Sequence, residues 1–309
     1  MLKLLIIGAV KKMKVVYGHT DSIYVQIDDI DRALSAIKTI EEKVREKFPN
    51  VLGLDEHPVV LEFEKYFSAL GVGVTKNRNA GMVSWEDGVY LDKPKFTMTG
   101  FEAKRVAETK LAKEVQTKVL QMWVQQKPFK DINKYLYDTF RFVKNGEVPL
   151  KSIIKRSRLK EDRLLIRCPD YECRNKMVHL KDSLTQTFCE ICGTSMSNFV
   201  TKEGKKPSIK EGIAGLIHAW ERHNFSWTEA DSYHFLKVKS YDKFTHPLTK
   251  EQRPVTYLSA PSADDFEGIK PDYDFYAEQV VKKAEPVYKA MVWDANQIRI
   301  GELKTLDEW

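Results

Sequence analysis

Two clusters in this sequence have the residue types and spacing to do chemistry. The first is His19-Thr20-Asp21-Ser22, which sits between two short apolar arms, Val15-Val16-Tyr17 and Ile23-Tyr24-Val25. β-branched and aromatic arms around a polar tip predict a β-hairpin, with Gly18 and Asp21 at or near the bend. Side chains alternate along an extended strand, so His19 and Asp21 are expected on the same side. A carboxylate there, beside an imidazole and two hydroxyls, can hold a divalent metal against phosphate oxygens. The second cluster is Cys168-x4-Cys173 with Cys189-x2-Cys192-Gly193, which places all 4 cysteines within one 25-residue window. Two such pairs can set four thiolates tetrahedrally around a structural zinc ion in a ribbon, with no coordination position left open for catalysis. The alternative is two unconnected reduced pairs; either way the pattern suits a reducing compartment better than a disulfide scaffold. His179 reads as a surface residue rather than a ligand.

These clusters need elements to position them. Residues 30–48 predict an amphipathic helix whose apolar stripe is Ala33, Ile37, Ile40, Val44 and Phe48, ended by Pro49-Asn50. Residues 59–64 read as a strand with Glu62 and Glu64 on one face. Residues 66–74 read as the next strand, and 81–90 as a hairpin turning at Glu86-Asp87-Gly88. Residues 107–126 predict a lysine-rich helix. Between 101 and 130 there are seven Lys/Arg and three Glu, and between 151 and 167 seven Lys/Arg against two acids. Such runs are often only solvated faces. Here Ile153, Ile154, Leu159, Leu164 and Leu165 are interleaved, so one face can pack while the other meets a duplex backbone. A Lys- and Gly-rich linker follows at 201–208, then helices over 212–223 and 274–292, with a strand over 233–241 between them.

A chain of 309 residues is long enough for two modest domains with cores of their own. The 42% hydrophobic and 30% charged content is ordinary for a soluble protein. Lys and Arg outnumber Asp and Glu by 50 to 44, a net charge of +6 that suits a polyanion partner without requiring one. No run approaches the roughly 18 apolar residues of a membrane span. The apolar stretch 4–10 is too short for the core of a signal peptide, so a cytoplasmic, nucleoid-associated protein with no membrane partner is expected. The abundance of lysine and glutamate fits a thermophile.

Residues 17–22, Tyr-Gly-His-Thr-Asp-Ser, resemble the Tyr-Gly-Asp-Thr-Asp-Ser palm signature of family B DNA polymerases at five of six positions. His19 stands where that family usually has its first aspartate. The resemblance continues in order through Leu61-Glu62-Phe63-Glu64, then Thr75-Lys76-Asn77-Arg78-Asn79-Ala80-Gly81, then Thr99-Gly100-Phe101-Glu102-Ala103-Lys104-Arg105. Leu111 to Gln116 is similar to the first thumb helix, and Asp272 to Tyr276 with Gln279 to the last thumb segment. Asn79 and Ala107 depart from the residues usual in that family at their positions, a tyrosine or another residue that contacts the primer strand, and an aspartate. The tail from Leu303 to Trp309 resembles the sliding-clamp-binding peptide of archaeal polymerases, with Leu306 and Trp309 as its anchors and Leu303 where glutamine is usual. A frayed terminal helix is the plain alternative for that tail.

The resemblance implies an α+β chain: a partial palm of antiparallel sheet and helix (1–100), then a mostly helical thumb. The thumb would lie in two parts (101–167 and 201–293) around an inserted zinc ribbon (168–200), before a tail (294–309). It implies that Asp21 ligates Mg2+, supported by Glu64 or else Glu62, with His19 and Thr20 beside it. Lys76, Arg78, Lys104, Arg105 and Lys113 would grip primer–template DNA through its phosphates. The second palm aspartate, the fingers with their nucleotide-binding lysine, and the exonuclease are absent from these 309 residues. The expectation is therefore the small subunit of a split archaeal polymerase, inactive alone and handling dNTPs only with a large subunit. Two other readings remain open: a polymerase-derived DNA-binding or assembly module without activity, and a zinc-ribbon transcription or RNA-processing factor. The last explains only residues 168–193.

Overall fold

The computed structural model describes residues 14–19, 22–74, 77–104, 107–159, 165–173, 177–179, 182, 184–195, 211–223, 232–247 and 249–301. Thr20, Asp21, Lys76, Arg105, Leu303, Leu306 and Trp309 lie outside the described residues, as does the 201–208 linker; of His19 and Lys104 only the backbone is described. The chain divides into two compact units. One comprises Met1–Phe101, Lys118–Ile132 and Pro286–Trp293, the other Glu102–Thr117, Asn133–Glu285 and Asp294–Trp309.

The first unit opens with the expected hairpin, β1 (Lys14–His19) and β2 (Ser22–Gln26), antiparallel and forming a two-stranded sheet of its own. Val15 pairs with Val25 but Tyr17 with Tyr24, so Val16 is an extra residue that bulges from β1. Helix α1 (Ile30–Lys47) follows, begun by Asp29, whose side chain accepts from the Asp31 N–H at 3.0 Å. Its buried Val44 packs against Ile23 and Val25 of the hairpin and against Val59 and Leu61. The helical period thus lays an apolar stripe across the hairpin.

Residues 59–64 do not form the expected strand. Their alternation survives, with Val59, Leu61 and Phe63 half-buried and Val60, Glu62 and Glu64 exposed. Period-two patterning specifies a face but not a neighbour to bond with. Here α1 side chains take part of that role: Arg45 Nε donates to the Val59 carbonyl at 3.0 Å, and the Leu61 N–H donates to Glu41 Oε2 at 2.9 Å. Pairing begins only at β3 (Lys65–Val72), which joins β4 (Asn79–Glu86) and β5 (Val89–Thr99) in an antiparallel sheet of order β3-β4-β5. The β4–β5 turn has positive φ at both Asp87 (51°) and Gly88 (88°), the mirror-image turn that suits strand twist. Trp123 packs against this sheet at Gly71, where an added Cβ would fall 2.4 Å from its ring.

The later helices are α2 (Lys110–Val124), α3 (Phe129–Lys144), the single turn α4 (Leu150–Ile153), α5 (Glu211–His223), α6 (Tyr273–Met291) and α7 (Gln297–Ile300). Helix α2 starts three residues later than its pattern suggests because the Thr109 hydroxyl accepts from the Ala112 N–H at 3.1 Å and so caps it. The second unit also holds a three-stranded sheet, built from β6 (Lys155–Arg158), β9 (Ser232–Lys237) and β12 (Tyr257–Ala260) with β9 central. Two short antiparallel pairs complete it: β7 (Leu165–Arg167) with β8 (Met177–His179), and β10 (Lys243–Thr245) with β11 (Gln252–Pro254). Leu216, Ile217, Leu236, Phe266 and Ile298 are among its fully buried side chains. Among the described residues, no helix is long and apolar enough to cross a membrane.

Candidate functional site

The hairpin is held from two directions. The Tyr17 and Tyr24 rings meet at 5.4 Å, and Tyr24 meets Phe67 of β3 at 6.0 Å. Just past β2, the Ile27 carbonyl accepts from the Tyr66 hydroxyl at 3.2 Å. On the other strand, the Tyr17 hydroxyl accepts from the Asn77 N–H at 3.0 Å. The loop bearing Asn77 and Arg78 is closed by a 2.8 Å bond from the Gly73 N–H to the Arg78 carbonyl. It crosses Gly100 so closely that a Cβ there would lie 1.8 Å from the Asn77 carbonyl oxygen; Gly100 also has φ +75°, so this crossing needs glycine. Two residues read in separate stretches of the sequence, Tyr17 and Asn77, are therefore neighbours.

A cavity of about 860 Å³ lies between β2, α1 and residues 60–72. Ser22, Asp28, Glu62 and Glu64 contribute polar groups to its wall. The two glutamates share a face because Phe63, between them, packs on Trp85 with ring centroids 4.8 Å apart. Ser22, which follows Asp21, thus opens on the same cavity as both candidate carboxylates. Of the candidate phosphate-binding cations, Arg78 and Lys113 are half-buried. Among the described residues, the carboxylates do not gather into a group of three or more potential metal ligands; the four cysteines do.

All four cysteine sulfurs lie within 4.8 Å of one another. Cys168 and Cys192 are 3.5 Å apart, Cys173 and Cys189 3.8 Å. Four thiolates at about 2.3 Å from a tetrahedral zinc ion stand about 3.8 Å from one another, so the donor set fits that ion. Cys168 and Cys189 are buried and Cys192 is exposed. Bonds from the Thr194 hydroxyl and backbone pull the Cys192 thiol down to about 6. Burial pushes Cys168 up to about 11. Sulfurs this crowded cannot all ionise without a cation among them.

Sequence reasoning missed the groups that shape this centre. Asp170 Oδ1 accepts from the Glu172 and Cys173 N–H groups at 2.8 and 3.1 Å and closes the first knuckle. These bonds hold its carboxyl below the ordinary carboxylate range. The Thr194 hydroxyl donates to Asp170 Oδ2 at 3.4 Å and lies 3.3 Å from Cys192 Sγ, which links the two knuckles. Gly193 turns the second knuckle at φ +72°, its N–H donating to the Cys189 carbonyl at 2.8 Å. An aspartate two residues after a cysteine, the local pattern of a side-chain-closed turn, was the available signal for Asp170.

The site thus consists of a hairpin braced against the loop of Asn77 and Arg78, and of a four-cysteine knuckle further along the chain. The family model that matches is described as DNA polymerase family B, over residues 6–182. That match covers more than half of the sequence, and the chain belongs to family B of the DNA polymerases. A protein named DNA polymerase from Archaeoglobus fulgidus is 30% identical over 146 residues, which is 46% of this chain and 16% of that protein. The solved family B DNA polymerase of the hyperthermophilic archaeon Pyrobaculum calidifontis matches in fold with a TM-score of 0.50 at 16% identity. That match takes in 99% of this chain and 29% of the other. The chain therefore spans less than a third of the length of either relative.

Proposed function

We propose that this chain is the palm-and-thumb part of a DNA-directed DNA polymerase that is active only as a heteromer. A large subunit supplies exonuclease, fingers and the second palm aspartate. The observation that carries this reading is the cavity of about 860 Å³ beside the hairpin, which among the described residues pairs with no further strand. Its wall includes Ser22, Glu62 and Glu64, and Asp21 adjoins Ser22 in the sequence. A hairpin that forms its own sheet beside a segment whose carboxylates face outward is suited to receive a strand of the partner. In that role Asp21 ligates the catalytic Mg2+ with help from Glu64 or Glu62. Held there, Mg2+ would supply the positive charge that acidifies the primer hydroxyl and offsets the charge of the triphosphate. Asp21 acts as ligand, while Thr20 and His19, its neighbours in the sequence, add no negative charge. Arg78 and Lys113, with Lys76, Lys104 and Arg105, hold the primer–template by its phosphates. Zinc at Cys168, Cys173, Cys189 and Cys192 is structural, since four thiolates close its coordination. Leu306 and Trp309 anchor a sliding clamp.

Primer extension by the assembled complex tests this, comparing wild type with Asp21→Ala. Loss of a metal ligand lowers the rate by at least about 100-fold, the upper end of what losing a ligand's supporting partner costs. Because His19 stands where an acid is usual, the competing reading is a DNA-binding or assembly module without activity. Extension that is unchanged in Asp21→Ala, with duplex binding retained, establishes that one instead.

A further inference from the structure

Lys283 of α6 is 5% exposed, an unusual place for an ammonium group. It donates to Glu102 Oε2, and to Glu108 Oε2 at 2.7 Å. Glu108, 11% exposed, is also met by Lys155 of β6 at 3.2 Å. Two cations and two carboxylates thus meet in one cluster. Its carboxylates stand at both ends of a short segment, residues 102–108, and the sequence between them carries Lys104 and Arg105. The same segment has a second hold: the Ala103 N–H donates to Oε1 of the buried Gln116 at 2.7 Å. Next to Glu108, Thr109 caps α2. Lys283 follows Glu108 by 175 positions and Glu102 by 181, so no local rule orders this stretch.

Ion pairs of this burial are poor sources of net stability, because desolvation offsets much of the attraction. Their better-attested use is to select one arrangement among several. Too buried to reach a phosphate itself, Lys283 can act on DNA only through the backbone it pins.

We propose that Lys283 is a positioning residue for duplex DNA: by pinning Glu102 and Glu108, it holds the two residues that flank Lys104 and Arg105 in the sequence, so that those two cations engage phosphates together. This rests on the functional reading above, in which those two residues grip the primer–template.

The test uses the full chain and a fluorescent primer–template duplex, with affinity measured across a range of salt concentrations. Lys283→Met alone is confounded by the lost charge and by two stranded carboxylates. The informative variant is therefore Lys283→Met with Glu102→Gln and Glu108→Gln, which removes the cluster, strands no carboxylate of the pair and raises the net charge by one. If only overall charge mattered, it would bind DNA more tightly. The expected result is binding about tenfold weaker at 0.1 M salt, with the slope of log affinity against log salt reduced by about 1 to 2, or one to two phosphate contacts. Lys283→Arg, which keeps the charge and both pairings, should restore the wild-type slope. The Lys104→Ala, Arg105→Ala double variant measures the slope those residues supply. If that variant loses slope while the triple variant keeps the wild-type slope, Lys283 has no positioning role and the DNA-gripping assignment stands. If the wild type shows no salt-dependent duplex binding, or the double variant is unchanged, the assignment falls and this inference with it.

Discussion

The hydroxyl of Tyr17 accepts a hydrogen bond from the backbone N–H of Asn77 at 3.0 Å, 60 residues away in sequence. The bond ties the first strand of the hairpin to the loop that carries Arg78. A net contribution of about 1 kcal/mol is typical for such a bond. It joins a strand that would precede the catalytic aspartate to a loop expected to touch DNA, so a change in one is felt by the other.

Removing that hydroxyl isolates its effect. Tyr17→Phe keeps the ring contact with Tyr24 and deletes only the acceptor. Hydrogen exchange at the Asn77 amide should speed up by roughly fivefold, the equivalent of about 1 kcal/mol, with amides of β12 unchanged. An unaltered Asn77 amide would mean that another partner holds the loop.

The close approach of Trp123 to Gly71 makes a packing prediction. In Gly71→Ala the new methyl would lie 2.4 Å from the ring, so Trp123 must move. Destabilisation of about 1–3 kcal/mol is expected by denaturant unfolding, the usual cost of overpacking. Adding Trp123→Leu should recover part of that loss, because the residues share one space and their effects do not add. Full additivity would contradict the contact.

The cysteine centre should hold one zinc ion per chain, measured by elemental analysis of the purified protein. Cys168→Ser should reduce that content sharply. Asp170→Ala, which removes the carboxylate that closes the first knuckle, should weaken zinc binding by about 10- to 100-fold in chelator competition. A chain that holds no zinc with all four cysteines reduced would leave them as a hydrogen-bonded thiol cluster.

Acid should release the buried cluster around Lys283. Burial raises the Glu108 carboxyl, but the Lys283 hydrogen bond and the Lys155 charge outweigh it, so it titrates below its ordinary 4.5. A depressed folded-state value means the contribution is complete above pH 4.5 and is lost as pH falls through the lower, folded value. Protection of the Ala103 and Thr109 amides from hydrogen exchange, corrected for intrinsic rates, should be flat from pH 7 to 5 and collapse below that window. In Glu108→Gln the step should shrink. A step centred above pH 5 would assign the transition to another group.

Much of the local structure was legible because its causes are local. The 3.6-residue stripe from Ala33 to Phe48 is realised in α1 to within one residue at its end, since a helix satisfies its own backbone and needs only a face to bury. The Asp87-Gly88 turn follows from the backbone freedom of its two residues. The four cysteines announced their convergence by spacing, and the sulfurs do converge. Residues 59–64 show where this ends: alternation predicted which side chains face out, and Glu62 and Glu64 do, but no ladder forms there. A strand is defined by its neighbour, and the Arg45 and Glu41 side chains that bond this backbone lie 14 and 20 residues away.

The sequence by itself determined the family, the order of the short elements and the cysteine knuckle, all written in spacings of a few residues. Only the tertiary structure decided that Tyr17 meets Asn77, that β9 lies between β6 and β12, and that Lys283 is buried against Glu102 and Glu108. On its helix Lys283 reads as one more solvated lysine beside Lys282. Its burial depends on two carboxylates more than 170 residues away, brought there by packing that no local pattern encodes.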